Sequence, residues 1–307
     1  MLSDLASFLA THPVVVEKAN IHLAYGNAEG LSGNIPLGDD TAAIPNPTGS
    51  GHLLFAAEGM LESFVVDDPW FAGYSAIMVN ISDIAAMGGT PIAITDVLWT
   101  PDEELSKKIW EGMSAASLAY GVPIVGGHTT KTAKGNAALA ASIIGHAGDH
   151  LITSFDASPG DLLTFAIDMN GAYRADKPFW NASTTATPEH LRKIISLLPE
   201  IAEKELCKAG KDISNGGIIG TLAMLCECSE VGATINLADV PKPVGVDWEK
   251  WLVSFPSYGY LLAIAPEHLL ETNEIFAAHG ITFQPIGTID ETPGIHLKDG
   301  DETEFVI

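Results

Sequence analysis

A chain of 307 residues with 47% hydrophobic content is long enough for two ordinary domains and is neither disordered nor fibrous in composition. Its 39 acidic residues against 15 basic ones leave a formal charge of −24, which argues against a nucleic-acid binder working through lysine and arginine. The two arginines are Arg174 and Arg192, so a phosphorylated ligand would have to bring its own cations, because carboxylates repel phosphate and divalent ions bridge the two.

The opening MLSDLASFLATHPVVVEKAN has no basic region before an apolar core and no small-residue cleavage pattern, so a signal peptide is not expected. No apolar run approaches the roughly 20 residues of a membrane span. Cys207, Cys226 and Cys228 form an odd set that suits a reduced, cytoplasmic setting.

Residues 2–10 and 14–25 read as short helices separated by Pro13. GNAEGLSGNIPLGDD is rich in Gly and Asn, a mobile loop over 26–37 that ends in Asp39-Asp40. HLLFAAEG is strand-like and delivers Glu58. In Ala72–Pro91, Tyr74, Ile77, Met78, Ile81, Ile84 and Ala85 follow helical spacing and predict one buried face. Asn80 and Asp83 share a second face with Gly73, Ala76 and Met87, small enough for another surface to approach closely. Gly88-Gly89 and Pro91 stop that helix before a β-rich IAITDVLW. Thr100 as N-cap, Pro101 at N1 and Glu103 at N3 predict a helix over 101–120, stopped at Gly121.

VPIV is a short strand leading into Gly126-Gly127-His128-Thr129-Thr130, and ALAASIIGHAG is a second strand. Turn residues over 148–161 place a domain boundary between 1–149 and 150–307. The second half repeats the alternation: a strand in LLTFAID, helices near 188–198 and 200–209, the turn DISNGG and a helix over 217–230. Strands in ATINLADV and YGYLLAIA, a helix from Pro266 to Gly280 and a closing strand ITFQPIGTI complete it.

Asp39, Asp40, Glu58, Asp83 and Asp212 each sit at a strand end, in a loop or on a polar helix face, beside glycine or small residues. Hard divalent cations take oxygen ligands of this kind, and Mg²⁺ uses one or two carboxylates with substrate phosphates and water. Five such positions among 39 acids also fit chance. Gly126–Thr130 and Ser214-Asn215-Gly216-Gly217 are either phosphate cradles, whose glycines expose backbone N–H groups, or ordinary strand-to-helix turns. Neither matches a P-loop or a Rossmann fingerprint.

The series GDD (38–40), VNISDIAAMGG (79–89), VGGHTT (125–130) and DISNGG (212–217) resembles the aminoimidazole ribonucleotide (AIR) synthase-related superfamily. That group includes thiamine-monophosphate kinase, selenophosphate synthetase and a hydrogenase maturation dehydratase. The resemblance covers about residues 37–290, and VNxSDxAAMGG is specific to the group. It implies an α+β fold of two α/β sandwich domains, the N-terminal one binding ATP and Mg²⁺ and pairing across a two-fold into the β-barrel-like core of a homodimer. Nucleotide is implied in the groove between domains. By motif, Asp40, Asp83 and Asp212 are implied Mg²⁺ ligands, with Asp39 and Glu58 as additional ones. Asn80 and Gly126, Gly127, His128, Thr129 and Thr130 are implied nucleotide contacts, as are Ser214, Asn215 and Gly216.

Departures narrow the resemblance. Selenophosphate synthetase needs a reactive Cys or selenocysteine early in the chain, and there is no cysteine before Cys207. Thiamine-monophosphate kinase has an aspartate at position 58, GGDT where His128 stands, DISDG where Asn215 stands, and a Gly-Glu-Asp element where Pro256-Ser257-Tyr258-Gly259 stands. The implied function is Mg²⁺- and ATP-dependent phosphoryl transfer to a small-molecule substrate, by a kinase or an ATP-dependent synthase with no catalytic base assigned. Thiamine-monophosphate kinase is one form of it, and a non-catalytic nucleotide sensor or partner subunit is the alternative of another class. Arg174 either clamps a substrate anion or lies on the surface, His128 either bonds phosphate or is structural, and Trp180, Trp248 and Trp251 are expected to pack.

Overall fold

The computed structural model describes residues 2–19, 37–133, 136–174 and 177–307. The chain opens with α1 (Leu2–Thr11) and α2 (Pro13–Ala19). The continuation of the second helix to residue 25 and nearly all of the expected loop over 26–37 lie outside the described residues. Next come β1 (Ala42–Pro45), β2 (His52–Met60), α3 (Glu62–Asp67), α4 (Pro69–Ala86), β3 (Thr90–Thr100), α5 (Glu103–Tyr120), β4 (Ile124–Lys131) and β5 (Ala138–Ala147). The later half holds β6 (Leu162–Ile167), β7 (Ala172–Tyr173), β8 (Phe179–Asn181), α6 (Pro188–Ile194), α7 (Leu197–Glu203), β9 (Ala209–Asp212) and α8 (Gly217–Ser229). It ends with β10 (Gly232–Asn236), α9 (Trp248–Leu252), β11 (Phe255–Pro256), β12 (Gly259–Ile264), α10 (Leu269–Ala277), β13 (Thr282–Asp290), β14 (Gly294–Asp299) and β15 (Glu302–Phe305).

Two compact units result, each with helices packed on a mostly antiparallel sheet, the expected α+β class. One comprises Thr41–Asp149 with Ala186–Pro199; the other comprises His150–Thr185, Glu200–Ile307 and the described residues up to Asp40. No helix among the described residues is long and apolar enough to cross a membrane.

In the first unit the strands run β1-β2-β5-β3-β4, with only the β3–β4 pair parallel. Period-2 alternation gives the sheet one apolar buried face, with Leu54, Ala56, Ile94, Leu98, Leu139 and Ile143 turned inward. The helix α4 starts where Asp68 accepts a hydrogen bond from the Phe71 N–H and Pro69 occupies the first turn. It ends as expected at Gly88-Gly89, whose N–H groups bond the carbonyls of Ala85 and Ile84, with Gly88 at φ 73°.

The expectation of one buried face on α4 needs correction. Ser75, Asn80 and Asp83 are buried as well as the apolar stripe, because β2, β5 and β3 contact the helix and α5 covers it too. Small residues make this possible, as the pattern at Gly73 suggested. A Cβ on Gly73 would collide with the Ile109 carbonyl on α5, and one on Gly112 would collide with the Trp70 carbonyl on α4. The cap of α5 also differs: Asp102, not Thr100, accepts from the Leu105 N–H at 2.8 Å, so the helix begins at Glu103. Gly121 ends it at φ 76° as expected, and Arg192 of α6 donates to the Leu118 and Ala119 carbonyls there, which commits one of the two arginines to a helix terminus.

In the other unit seven strands run β15-β14-β10-β13-β6-β12-β9. Here α1 packs on β14 and β15, and α2 on α8, so the N-terminal helices join strands from the far end of the chain. Phe165, Ile167, Leu222, Leu261 and Ile286 form the core with Trp180 and Trp251, whose rings meet edge to face at 5.5 Å. The helix expected over 200–209 is α7, which starts three residues earlier and ends six residues earlier, followed by β9. The segment AGKD has little strand character of its own, and pairing with β12 imposes it. The hairpin β14–β15 went unread because its sequence, GIHLKDGDETEF, is dominated by polar and charged residues.

Gly112→Ala is expected to lower stability by about 1–3 kcal/mol through overpacking of the α4–α5 contact. Thermal or urea unfolding checks this, and an unchanged midpoint would show that the close approach is not required.

Candidate functional site

In the unit built on β9, the GDD segment lies against the strand that ends in Asp212. Ser154 donates its N–H to Asp39 Oδ2 at 2.9 Å and its hydroxyl to Asp39 Oδ1 at 2.6 Å. Asp40 receives the ammonium of Lys211 on Oδ1 and the Asp212 N–H on Oδ2 at 3.3 Å. Lys211 also donates to the Ser154 hydroxyl at 3.1 Å and lies 4.0 Å from Asp39 Oδ1. The three charged side chains are almost fully out of water, at 0% for Asp39, 5% for Asp40 and 3% for Lys211. Burial opposes the ammonium of Lys211, but the charges of Asp40 and Asp39 outweigh it and hold the group well above its ordinary pKa. Burial, then repulsion from Asp40, raises the pKa of Asp39, offset in part by Lys211 and Ser154. Asp39, Asp40 and Asp212 are thus brought to one place, around a lysine that the sequence reading missed.

Ser214–Gly217 follow β9 and start α8, with Gly216 at φ 89° and Gly217 at φ 61°. Gly216 is the N-cap and no side chain caps the helix. The Ser214 N–H donates to Thr221 Oγ1, and Asn215 is exposed. The turn connects strand β9 to helix α8.

In the other unit, Asn80 and Asp83 sit on α4, buried at 0% and 7% exposure. Asn80 donates Nδ2 to the Ala76 carbonyl at 2.8 Å, and its Oδ1 has no hydrogen bond among the described residues. Gly126–Thr130 is not a loop. It forms most of the edge strand β4, in parallel register with Thr95–Trp99, because pairing with β3 outweighs the two glycines. His128 is exposed on it.

One row of the sheet carries further carboxylates: Glu58 pairs with Ala141, Ala141 with Asp96, and Asp96 with Gly127. Glu58 is exposed. Asp96 is 1% exposed, and neither of its oxygens accepts a hydrogen bond from another residue among the described residues. A Cβ on Gly127 would collide with the Asp96 carboxylate, so glycine there makes room for it. Burial raises the Asp96 pKa, offset partly by its own backbone N–H. The signal for Asp96 in the sequence was a lone acid inside the strand run IAITDVLW.

Among the described residues no three His, Cys, Asp or Glu side chains form a cluster ready to hold a metal ion. The Asp39–Asp40 pair nevertheless suits positive charge, since it encloses the Lys211 ammonium. Cysteine chemistry has little support: burial pushes Cys207 and Cys226 up to about 12, so both stay protonated thiols near neutrality.

The site therefore belongs to a two-unit α+β protein that keeps motif acids and glycine-rich segments in fixed places. Residues 38–147 match the family model of the AIR synthase related protein, N-terminal domain, and residues 135–300 match that of the C-terminal domain. The chain is 45% identical over 310 residues to an uncharacterised protein of Synechocystis sp., covering 99% of this chain and 95% of that one. It is 27% identical over 295 residues to thiamine-monophosphate kinase of Synechococcus elongatus, covering 88% of each. In structure it resembles T. maritima PurL complexed with ATP, with a TM-score of 0.76 at 18% identity over 99% of this chain. This chain spans about half of that one, at 53%. The protein belongs to the AIR synthase related family.

A raised folded-state pKa means that the folded chain binds the Asp96 proton more tightly than the unfolded chain does. Stability therefore falls as pH rises through the folded pKa, and the penalty is complete above it. Asp96→Asn is expected to raise stability by about 1–2 kcal/mol above neutrality. The gain should shrink as pH falls toward the unfolded carboxylate value of about 4. Unfolding midpoints across pH test this; a gain independent of pH would remove ionised Asp96 as its cause.

Proposed function

We propose that this protein is a Mg²⁺- and ATP-dependent enzyme that transfers a phosphoryl group to a small metabolite. The observation that carries the reading is the buried GDD pair, arranged about a positive charge in a chain of charge −24, within a family whose members include a named kinase and a structure complexed with ATP. In this reading Asp39, Asp40, Glu58, Asp83 and Asp212 supply oxygen ligands to Mg²⁺, and Asn80, Gly126–Thr130 and Ser214–Gly216 contact the nucleotide. Bound Mg²⁺ would neutralise the triphosphate and orient its terminal phosphate. The chain contributes positioning: the N-terminus of α8, which no side chain caps, and the edge strand β4 offer backbone N–H groups, and buried Asn80 presents Oδ1, which accepts no hydrogen bond among the described residues.

The narrower reading, thiamine-monophosphate kinase, is favoured by the match along 88% of both chains. Against it, His128 and Asn215, both exposed, stand at two acid positions of that kinase's motifs. Those two losses also motivate the reading as a nucleotide sensor or partner subunit. Incubation with Mg-ATP and a panel of acceptors that includes thiamine monophosphate separates the three: turnover of another acceptor, turnover of thiamine monophosphate, or binding without turnover. A reduced, cytoplasmic setting is part of the proposal and suits three free cysteines.

Mg-ATP is expected to stabilise the wild type, by about 2.7 kcal/mol at a hundredfold excess over Kd. Asp83→Asn should lose most of that stabilisation in a thermal-shift assay. Absence of a shift in the wild type, or a full shift in the variant, would overturn the metal assignment.

We also propose a homodimer formed through the outer face of the five-stranded sheet. Ile44, Phe55, Ile144 and Trp99 lie on it, and even the least exposed of them, Ile144, is 38% exposed. Exposed apolar side chains on one sheet face, with Phe55 and Ile144 directly paired and Trp99 further along it, suit a second copy across a two-fold. Sedimentation should find a wild-type dimer and a Phe55→Glu monomer; a monomeric wild type rules the interface out.

A further inference from the structure

Lys211 is out of place by every local rule. It sits in a four-residue strand whose residues are all buried, where lysine is rarely found unless paired, and the mechanism above makes no use of it. Its ammonium is the one buried cation contacting the GDD pair among the described residues, bonded to Asp40 and Ser154 and 4.0 Å from Asp39. All four carboxylate oxygens of the pair are engaged: Asp39 by Ser154 and the Asp40 N–H, Asp40 by Lys211 and the Asp212 N–H. The positive charge that such a pair requires is therefore already covalently attached to the chain.

We infer that Lys211 is a tethered cation that takes the place of one divalent ion at the GDD pair, keeping Asp39 and Asp40 in position with no metal bound and lowering by one the number of ions this site recruits. The inference deepens the metal-nucleotide reading and uses the same carboxylates. It makes Lys211 a positioning residue, since it acts through Asp39 and Asp40. An ammonium is monovalent and cannot bridge two carboxylates and a phosphate as a divalent ion does. It can balance charge between buried carboxylates without recruiting an ion from solution.

The test uses the full chain and Mn²⁺ alone, with bound ions counted from the loss of the free Mn²⁺ electron paramagnetic resonance signal. Lys211→Met should bind one more Mn²⁺ per chain than the wild type, and the added Asp40→Asn substitution should abolish the extra ion. Lys211→Arg, which keeps the charge, should match the wild-type count. Lys211→Gln, neutral but able to hydrogen-bond Asp40, provides a second route to the extra ion if the methionine variant does not fold. Equal counts in the wild type and the folded neutral variants overturn the inference, as does an extra ion that survives Asp40→Asn. Because the readout is a difference in metal count without nucleotide, it stands apart from the Mg-ATP thermal shift, whose failure would instead overturn the functional reading.

Discussion

A carboxylate taken out of water has to be paired, protonated or given a metal, and this chain buries several while carrying few cations to match. At the GDD segment the answer is local and complete: Lys211, the Ser154 hydroxyl and three backbone N–H groups together engage every oxygen. A buried pair of this kind adds little net stability, yet removing one partner typically costs about 3–5 kcal/mol because the other charge is left behind. The arrangement therefore acts mainly as a specification of place. It fixes residues 39 and 40 against β9, and so ties a segment near the start of the chain to a strand more than halfway along it.

Asp96 shows the opposite solution. The strand pairing turns it inward, Gly127 leaves room for its carboxylate, and no other residue among those described donates to it. An acid kept in that condition lowers stability at neutral pH, a pattern more common at functional sites than in ordinary cores. It shares a sheet row with Glu58, so the same unit carries one exposed and one desolvated carboxylate on strands β2 and β3, to either side of β5.

Packing in that unit centres on α4. Close approach at Gly73 and Gly112 lets α5 cover the helix backbone, while the sheet takes the apolar stripe. Asn80 and Asp83 are therefore held by packing on more than one side, which positions polar groups more tightly than a surface helix could. The same closeness explains why a helix with one apolar face buries its second face of small and polar residues as well.

Local signals in the sequence were dependable where a single residue type sets the backbone. Gly88 and Gly121 ended their helices because positive φ suits glycine. The tryptophans expected to pack do so, Trp180 and Trp251 inside the core and Trp248 partly buried against it. Signals failed where partners distant in sequence decide. Thr100 and Asp102 both qualify as caps, and the choice of Asp102 comes from strand β3 extending through Thr100. Gly126–Thr130 has turn composition but becomes a strand because β3 supplies its register, and AGKD becomes a strand because β12 does.

By itself, then, the sequence determined the family, through four ordered motifs, and with it the α+β class and the acids worth examining. Its charge balance also required that a phosphate ligand bring cations. Tertiary structure alone decided which acids meet, that Lys211 stands between Asp39 and Asp40, and that Asp96 is stranded beside Gly127. The reason is physical: motif and periodicity report the neighbours of a residue along the chain, whereas burial and charge pairing depend on segments that sheet formation brings together from as far apart as residues 40 and 211.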